Sequence, residues 1–173
     1  MLRVVVLSDT HLRAGRPRRL PDAVWAAIAG CQLVLHVGDV VDASLLDALD
    51  ERHVPYRAVL GNNDATLRDT LPERVQFGIE HVPVAMVHDS GTAKGRAARL
   101  RKWFPNAQIV VFGHSHAPVN EWHDGQLLFN PGSPTERRRQ PMHTYGLIDI
   151  DAGRVVRSEI VYFDGEQAIR PTG

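Results

Sequence analysis

Val4-Val5-Val6-Leu7-Ser8-Asp9-Thr10-His11 is a β-branched run that breaks directly into a carboxylate and an imidazole. A short, continuous apolar run of this kind predicts a strand buried on both faces, as in parallel sheets covered by helices. Its polar tail stands at the strand's carboxyl end, where open α/β sheets place their ligand sites. The arrangement returns along the chain. Residues 33–37 predict a strand ending in Gly38-Asp39-Val40-Val41-Asp42, and residues 56–60 one ending in Gly61-Asn62-Asn63-Asp64. Residues 82–87 run into His88-Asp89, and residues 109–112 into Gly113-His114-Ser115-His116.

Between these strands lie helical stretches. Residues 21–29 have Pro21 near the start and Gly30 at the end; residues 44–52 have Ser44 as a candidate N-cap; residues 93–103 form a third. The last third of the chain predicts strands at 127–129, 145–150 and 155–162, with turns at Gly125 and Gly153. Alternating β and α followed by mostly β implies an α/β fold of two packed sheets flanked by helices. No Pro/Gly/Ser-rich linker divides the chain, so one domain over residues 1–173 is expected.

Composition removes several function classes. The 173 residues carry 20 Lys+Arg against 20 Asp+Glu, with nine His and one Cys. A chain of this size buries roughly 70% of its unfolded surface and needs no covalent staples. Cys31 alone allows neither an intrachain disulfide nor a multi-thiolate zinc site. Zero net charge argues against generic DNA binding or a membrane-surface role, and no pattern of stacking aromatics suggests a nucleic-acid module. The first apolar run is too short for a signal segment or a membrane span. A cytoplasmic protein is therefore expected, in keeping with its lone thiol.

The strand-end residues form a mixed nitrogen and oxygen donor set without thiolate, suited to Mn, Fe, Ni or Zn. Asp9 and His11, two positions apart, are expected to point the same way from an extended segment, and His114 with His116 to repeat that geometry. Gly38, Gly61 and Gly113 precede the donors and permit sharp turns and close backbone approach.

The series Asp-x-His, Gly-Asp-x-x-Asp, Gly-Asn-x-Asp, His, Gly-His-x-His resembles the calcineurin-like metallophosphoesterases, and the chain's size and its Phe129-Asn130-Pro131-Gly132-Ser133-Pro134 segment resemble the small YfcE-like phosphodiesterase branch. The resemblance covers residue 4 to about residue 150. It implies a four-layer α-β-β-α fold and a dinuclear centre. Asp9, His11 and His116 would hold the first metal, Asn62, His88 and His114 the second, and Asp39 would bridge them. Asp39, Asn62 and His88 would act in catalysis with a bridging hydroxide, generated between two divalent ions about 3.5–4 Å apart, as nucleophile. Manganese is the favoured ion, with Ni, Fe or Zn as alternatives. A phosphodiester is favoured over a monoester, and the expected substrate is a small phosphate ester, nucleotide-derived ones included. A homo-oligomer is a family-level expectation. The same family includes a retromer scaffold subunit with a degraded metal site, so a non-catalytic scaffold is the alternative.

Two positions depart from the family pattern. Asn63 stands where a general-acid His is common, and an amide has no titratable proton at neutral pH; steep dependence on leaving-group acidity is expected. Asp89 stands where Gly is usual, read either as turn chemistry or as an extra carboxylate near the second metal. Asp42 and Asp64 are candidates to orient the imidazoles, or else caps and turns. His36 reads as a core histidine or a support behind the site, and His53 as a helix-end charge or an exposed residue. His81 and His123 read as surface residues, and His143 as a possible neighbour of the site. Arginines at Arg13/Arg16/Arg18/Arg19 and Arg137/Arg138/Arg139 are solvated surface or an anion-binding rim; Arg96, Arg99 and Arg101 belong to an amphipathic helix.

Overall fold

A computed structural model describes residues 1–164 and the backbone of residues 167–169. The elements in chain order are β1 (Leu2–Leu7), α1 (Asp22–Ala29), β2 (Leu33–His36), α2 (Ser44–Glu51), β3 (Tyr56–Ala58), a 3-10 turn (Ala65–Leu67), β4 (Arg74–Ile79), β5 (Val82–Val87), α3 (Arg96–Trp103), β6 (Ile109–Val111), β7 (Val119–His123), β8 (Gln126–Asn130), β9 (His143–Asp151), β10 (Arg154–Asp164) and β11 (Gln167–Ile169). They form a six-stranded sheet, β11-β10-β9-β1-β2-β3, and a five-stranded sheet, β4-β5-β6-β8-β7. Both sheets are mixed: β1, β2 and β3 run parallel while β9 pairs antiparallel to β1, and β5, β6 and β8 run parallel between antiparallel edges.

The alternation of side chains along each strand explains the layers. Val4 and Val6 of β1 face the second sheet, packing in one cluster with Val84, Met86, Ile109, Val111 and Phe129. Val5 and Leu7 face the other way, onto Val24 and Ile28 of α1 and Leu45, Leu46 and Leu49 of α2. Beyond the second sheet, Leu100 of α3 packs on Ala85, Val110, Phe112 and Leu128. The result is the expected helix, sheet, sheet, helix order. Strands β1, β2, β5 and β6 are apolar without alternation because both their faces are covered. Among the described residues, no helix is long and apolar enough to cross a membrane.

Some expectations fail at the edges. Strands β4, β7 and β11 are not expected from the sequence. Arg74–Ile79 buries only Ile79 fully, and Val119–His123 is exposed apart from Val119. Edge strands like these lack the continuous apolar run that marks a central strand. Ser44 is not the N-cap; it is the first residue of α2, and Asp42 receives its N–H at 2.9 Å. Helix α3 begins at Arg96 rather than residue 93, because Gly95 precedes it in the left-handed region with φ 70°.

Candidate metal centre

The loops after β1, β2, β3, β5 and β6 converge at one end of the two sheets. The backbone there is unusual. Asp9, His11, Asp39, Val41, His114 and His116 all have φ between 46° and 85°, a region that costs a residue with a Cβ about 1 kcal/mol or more. The extended geometry expected for Asp9-Thr10-His11 is thus wrong. Asp9 and His11 do converge, but His114 and His116 diverge, His116 towards Asp9 and His114 towards Asn62. Tertiary contacts hold these strained turns. Asp9 N–H donates to the Gly38 carbonyl (2.9 Å) and His11 N–H to that of Asp39 (3.0 Å). From the segment after β8, Ser133 Oγ donates to the Asp9 carbonyl (2.8 Å) and Thr135 Oγ1 to that of Thr10 (2.6 Å). A Cβ at Gly61 would lie 2.1 Å from Asp39 N, and one at Gly113 1.9 Å from Ser8 Oγ. Neither loop could approach so closely with any larger residue.

Asp42 and Asp64 do not touch an imidazole. Buried Asp64 accepts N–H groups from Asp39 (2.9 Å), Val41 (2.6 Å) and Gly61 (2.7 Å), tying the second and third loops together. Asp42 accepts from Ala14 N–H and from Ser44, whose nearby N–H and hydroxyl hold its carboxyl below the ordinary range against the effect of burial. Asn63 holds Asp39, its amide donating to Oδ2 (2.7 Å) and its N–H to Oδ1 (2.9 Å). Asp89 closes a turn by accepting the Gly91 N–H at 2.7 Å, as the first of its two readings expects.

Two histidines have their tautomers fixed from behind. His88 Nδ1 donates to the Val37 carbonyl (2.6 Å) and His116 Nδ1 to the Glu136 carbonyl. The lone pair of each Nε2 therefore faces inward, the arrangement that second partners impose on metal-binding imidazoles. His116 Nε2 lies 3.3 Å from Asp9 Oδ1, His11 Nε2 3.4 Å from Asp39 Oδ2, and His88 Nε2 3.6 Å from Asp39 Oδ1. Asn62 Oδ1 lies 3.1 Å from His88 Nε2 and 3.0 Å from His114 Nδ1.

Among the described residues, Asp9 Oδ1, His11 Nε2 and His116 Nε2 are buried atoms without a hydrogen-bond partner. These three ligand-type atoms lie within 4.8 Å of one another, as do those of Asp9, Asp39 and His88. Orphaned buried polar atoms are rare and carry a desolvation penalty. A cation coordinated among them would remove it, so the residues fit the divalent ions that the sequence pattern implies. Electrostatics follow the same contacts. Burial works against ionised Asp9, yet the contact with His116, the nearby His88 imidazole and the Ser8 hydroxyl bring its carboxyl below the ordinary range. Burial would lower His116, but Asp9 and the Glu136 carbonyl raise it; His11 is lowered, chiefly by burial.

His36 is fully buried beneath this cluster, 3.0 Å from Thr10 Oγ1, and burial pushes it down to about 4. His53, His81 and His123 are exposed, and His143 stacks on Phe163 instead of reaching the site. Glu136 joins the site from outside the strand-end motifs: its Oε2 lies 3.5 Å from His11 Nε2 and 3.3 Å from Arg18. Its only sequence signal is its place just beyond Asn130-Pro131-Gly132-Ser133. A cavity of about 540 Å³, bordered by Asn62, His88, His114, Arg68, Arg74 and Asp89, opens on the second half of the cluster.

Comparison with known proteins bears on the same residues. A family model of the calcineurin-like phosphoesterase superfamily domain matches residues 2–153. The chain is 33% identical over 135 residues to a probable metallophosphoesterase of Methanothermobacter thermautotrophicus, covering 77% of each chain. It is 23% identical over 193 aligned residues to the phosphodiesterase YfcE of Escherichia coli K12, covering 99% of this chain and 100% of that one. Among solved structures, Vps29 of Chaetomium thermophilum superposes with a TM-score of 0.81 over 98% of this chain and 95% of that one, at 14% identity, a likeness of fold alone. The matched residues span all five converging loops, and the chain belongs to the calcineurin-like phosphoesterase superfamily.

Proposed function

We propose that the chain is a cytoplasmic, metal-dependent phosphodiesterase, one metallophosphoesterase domain over residues 1–173 acting on a small phosphate ester. Asp9, His11 and His116 would hold one divalent cation, Asn62, His88 and His114 a second, with Asp39 between them and manganese the favoured ion. The observation that carries this reading is the convergence of orphaned Asp9 Oδ1, His11 Nε2 and His116 Nε2 beside Asp39, whose two oxygens face His11 and His88. When bound, such a pair of ions supplies an activated water and neutralises charge growing on the phosphoryl oxygens.

The chain's own groups provide the frame. The Val37 and Glu136 carbonyls keep the imidazole lone pairs turned inward. Asn63 fixes the Asp39 carboxylate with both of its N–H groups and has no acidic proton for a leaving oxygen. Esters with acidic leaving groups are therefore favoured substrates. Hydrolysis of bis(p-nitrophenyl) phosphate with added Mn²⁺ tests the reading. Asp39→Asn and His88→Ala are each expected to lower kcat/KM by about 1000-fold and to reduce bound metal. Wild-type turnover that either variant leaves unchanged would overturn the reading. The competing assignment, a non-catalytic scaffold, rests on the likeness to Vps29 and expects no turnover in this assay.

A further inference from the structure

The cavity beside Asn62, His88 and His114 measures about 540 Å³, within the range of small-ligand sites and larger than a single phosphoryl group needs. Its lining includes two arginines, Arg68 just after the 3-10 turn and Arg74 at the start of β4. Among the described residues, Arg68 and Arg74 donate to no protein acceptor and pair with no carboxylate. Other arginines around the site differ: Arg18 pairs with Glu136, Arg96 and Arg99 both donate to Ser90, and Arg137 donates to the Gln140 carbonyl. Arg74 is nevertheless held in place, its guanidinium 4.4 Å from the centre of the Trp103 ring. Glu73 and Asp89 also line the cavity, but Asp89 Oδ1 takes the Gly91 N–H and neither acid pairs with either arginine.

A guanidinium stacked on an aromatic ring with its N–H fork free is suited to an oxyanion, and two forks can divide the oxygens of one phosphate. A simple phosphodiester brings only one negative charge, carried by the phosphoryl group at the metal side. The two arginines have no partner in such a substrate. We infer that this cavity selects phosphodiesters carrying a second phosphoryl group on one ester arm, received by Arg68 and Arg74. This assignment rests on the phosphodiesterase reading above and names its substrate class. The arginine clusters at Arg13/Arg16/Arg18/Arg19 and Arg137/Arg138/Arg139, which the sequence offers as solvated surface or as an anion-binding rim, do not line this cavity; Arg68 and Arg74 do.

Calorimetric binding of thymidine 3′,5′-bisphosphate and thymidine 5′-phosphate, at fixed Mn²⁺, tests it on the intact chain. The bisphosphate is expected to bind the wild type about 10-fold more tightly. Arg68→Ala and Arg74→Ala should each reduce the preference and the double variant should abolish it. Both side chains are exposed, so truncation leaves the core intact. In turnover, thymidine 5′-(p-nitrophenyl phosphate) bearing a 3′-phosphate should show a KM about 10-fold below that of its 3′-hydroxyl counterpart. Equal binding of the two nucleotides by wild type, or a preference that survives the double substitution, would overturn the assignment. A binding preference lost in the double variant supports the anion site even if neither aryl ester is hydrolysed; that second result would overturn the phosphodiesterase reading instead.

Discussion

Around Asp9, His11 and His116 the inward donor atoms are buried and, among the described residues, have no hydrogen-bond partner. Across the centre, Asn62 Oδ1 meets both His88 Nε2 and His114 Nδ1, and Asn62 and His114 are exposed. The first half is pinned: Ser133 and Thr135 hold the carbonyls of Asp9 and Thr10, and the Glu136 carbonyl holds the His116 ring. In the second half, Asn62 engages both imidazoles, and Asn62 and His114 stand where water reaches although His88 is buried. A preorganised group has already met its ordering and desolvation costs in folding, so a ligand gains the full interaction on binding. An exposed group that first gives up its own contacts gains less. The two halves therefore predict unequal metal affinities within one centre.

The most severe way to break this contrast is a Mn²⁺ titration by calorimetry. Wild type is expected to show a tight and a weak step. His116→Ala should remove the tight step, weakening it by about 1000-fold, because it deletes a buried candidate donor whose tautomer is already fixed. His114→Ala should spare the tight step and weaken the other by about 10- to 100-fold. Equal losses at both steps from either variant would show that the halves are not distinct.

Asp64 sharpens the contrast from below, since it ties the loops that carry Asp39 and Gly61. Asp64→Ala strands three buried N–H groups and is expected to cost about 4 kcal/mol in urea unfolding of the metal-free chain. A loss below about 1 kcal/mol would mean that the loops hold themselves.

His36 gives the smallest effect, and a pH-dependent one. In the folded chain it stays neutral down to about 4, while the unfolded chain takes up a proton near 6.5. Between those values the unfolded state binds more protons, so stability falls as pH drops through the window, by about 3 kcal/mol at most. Urea melts of wild type and His36→Gln over that range should show the variant's slope to be flatter. Parallel curves would exclude His36 as the source.

Legibility followed the range of each signal. Central strands such as Leu2–Leu7 and Val82–Val87 were readable because burial on both faces leaves a continuous apolar run. Strands β4 and β7 escaped because an edge strand buries too little to print that pattern. The donor residues stood out through their positions after strands, and the structure brings Asp9, His11, Asp39, His88 and His116 together. The roles of Asp42, Asp64 and Asn63 did not stand out, because each is set by which backbone N–H happens to lie opposite a side chain.

Sequence alone determined the alternation of strands and helices, the layered fold and the order of the donors along the chain. These depend on local properties: β-branched runs, apolar periodicity and the residue types that follow each strand. Tertiary structure decided which donors face one another, which imidazole nitrogen carries the proton and which arginines border the cavity. The reason is distance along the chain. Asp9 meets His114 across 105 positions and Ser133 across 124. Such contacts also impose the left-handed backbone at Asp9, His11 and His116, a conformation that no local preference of these residues selects.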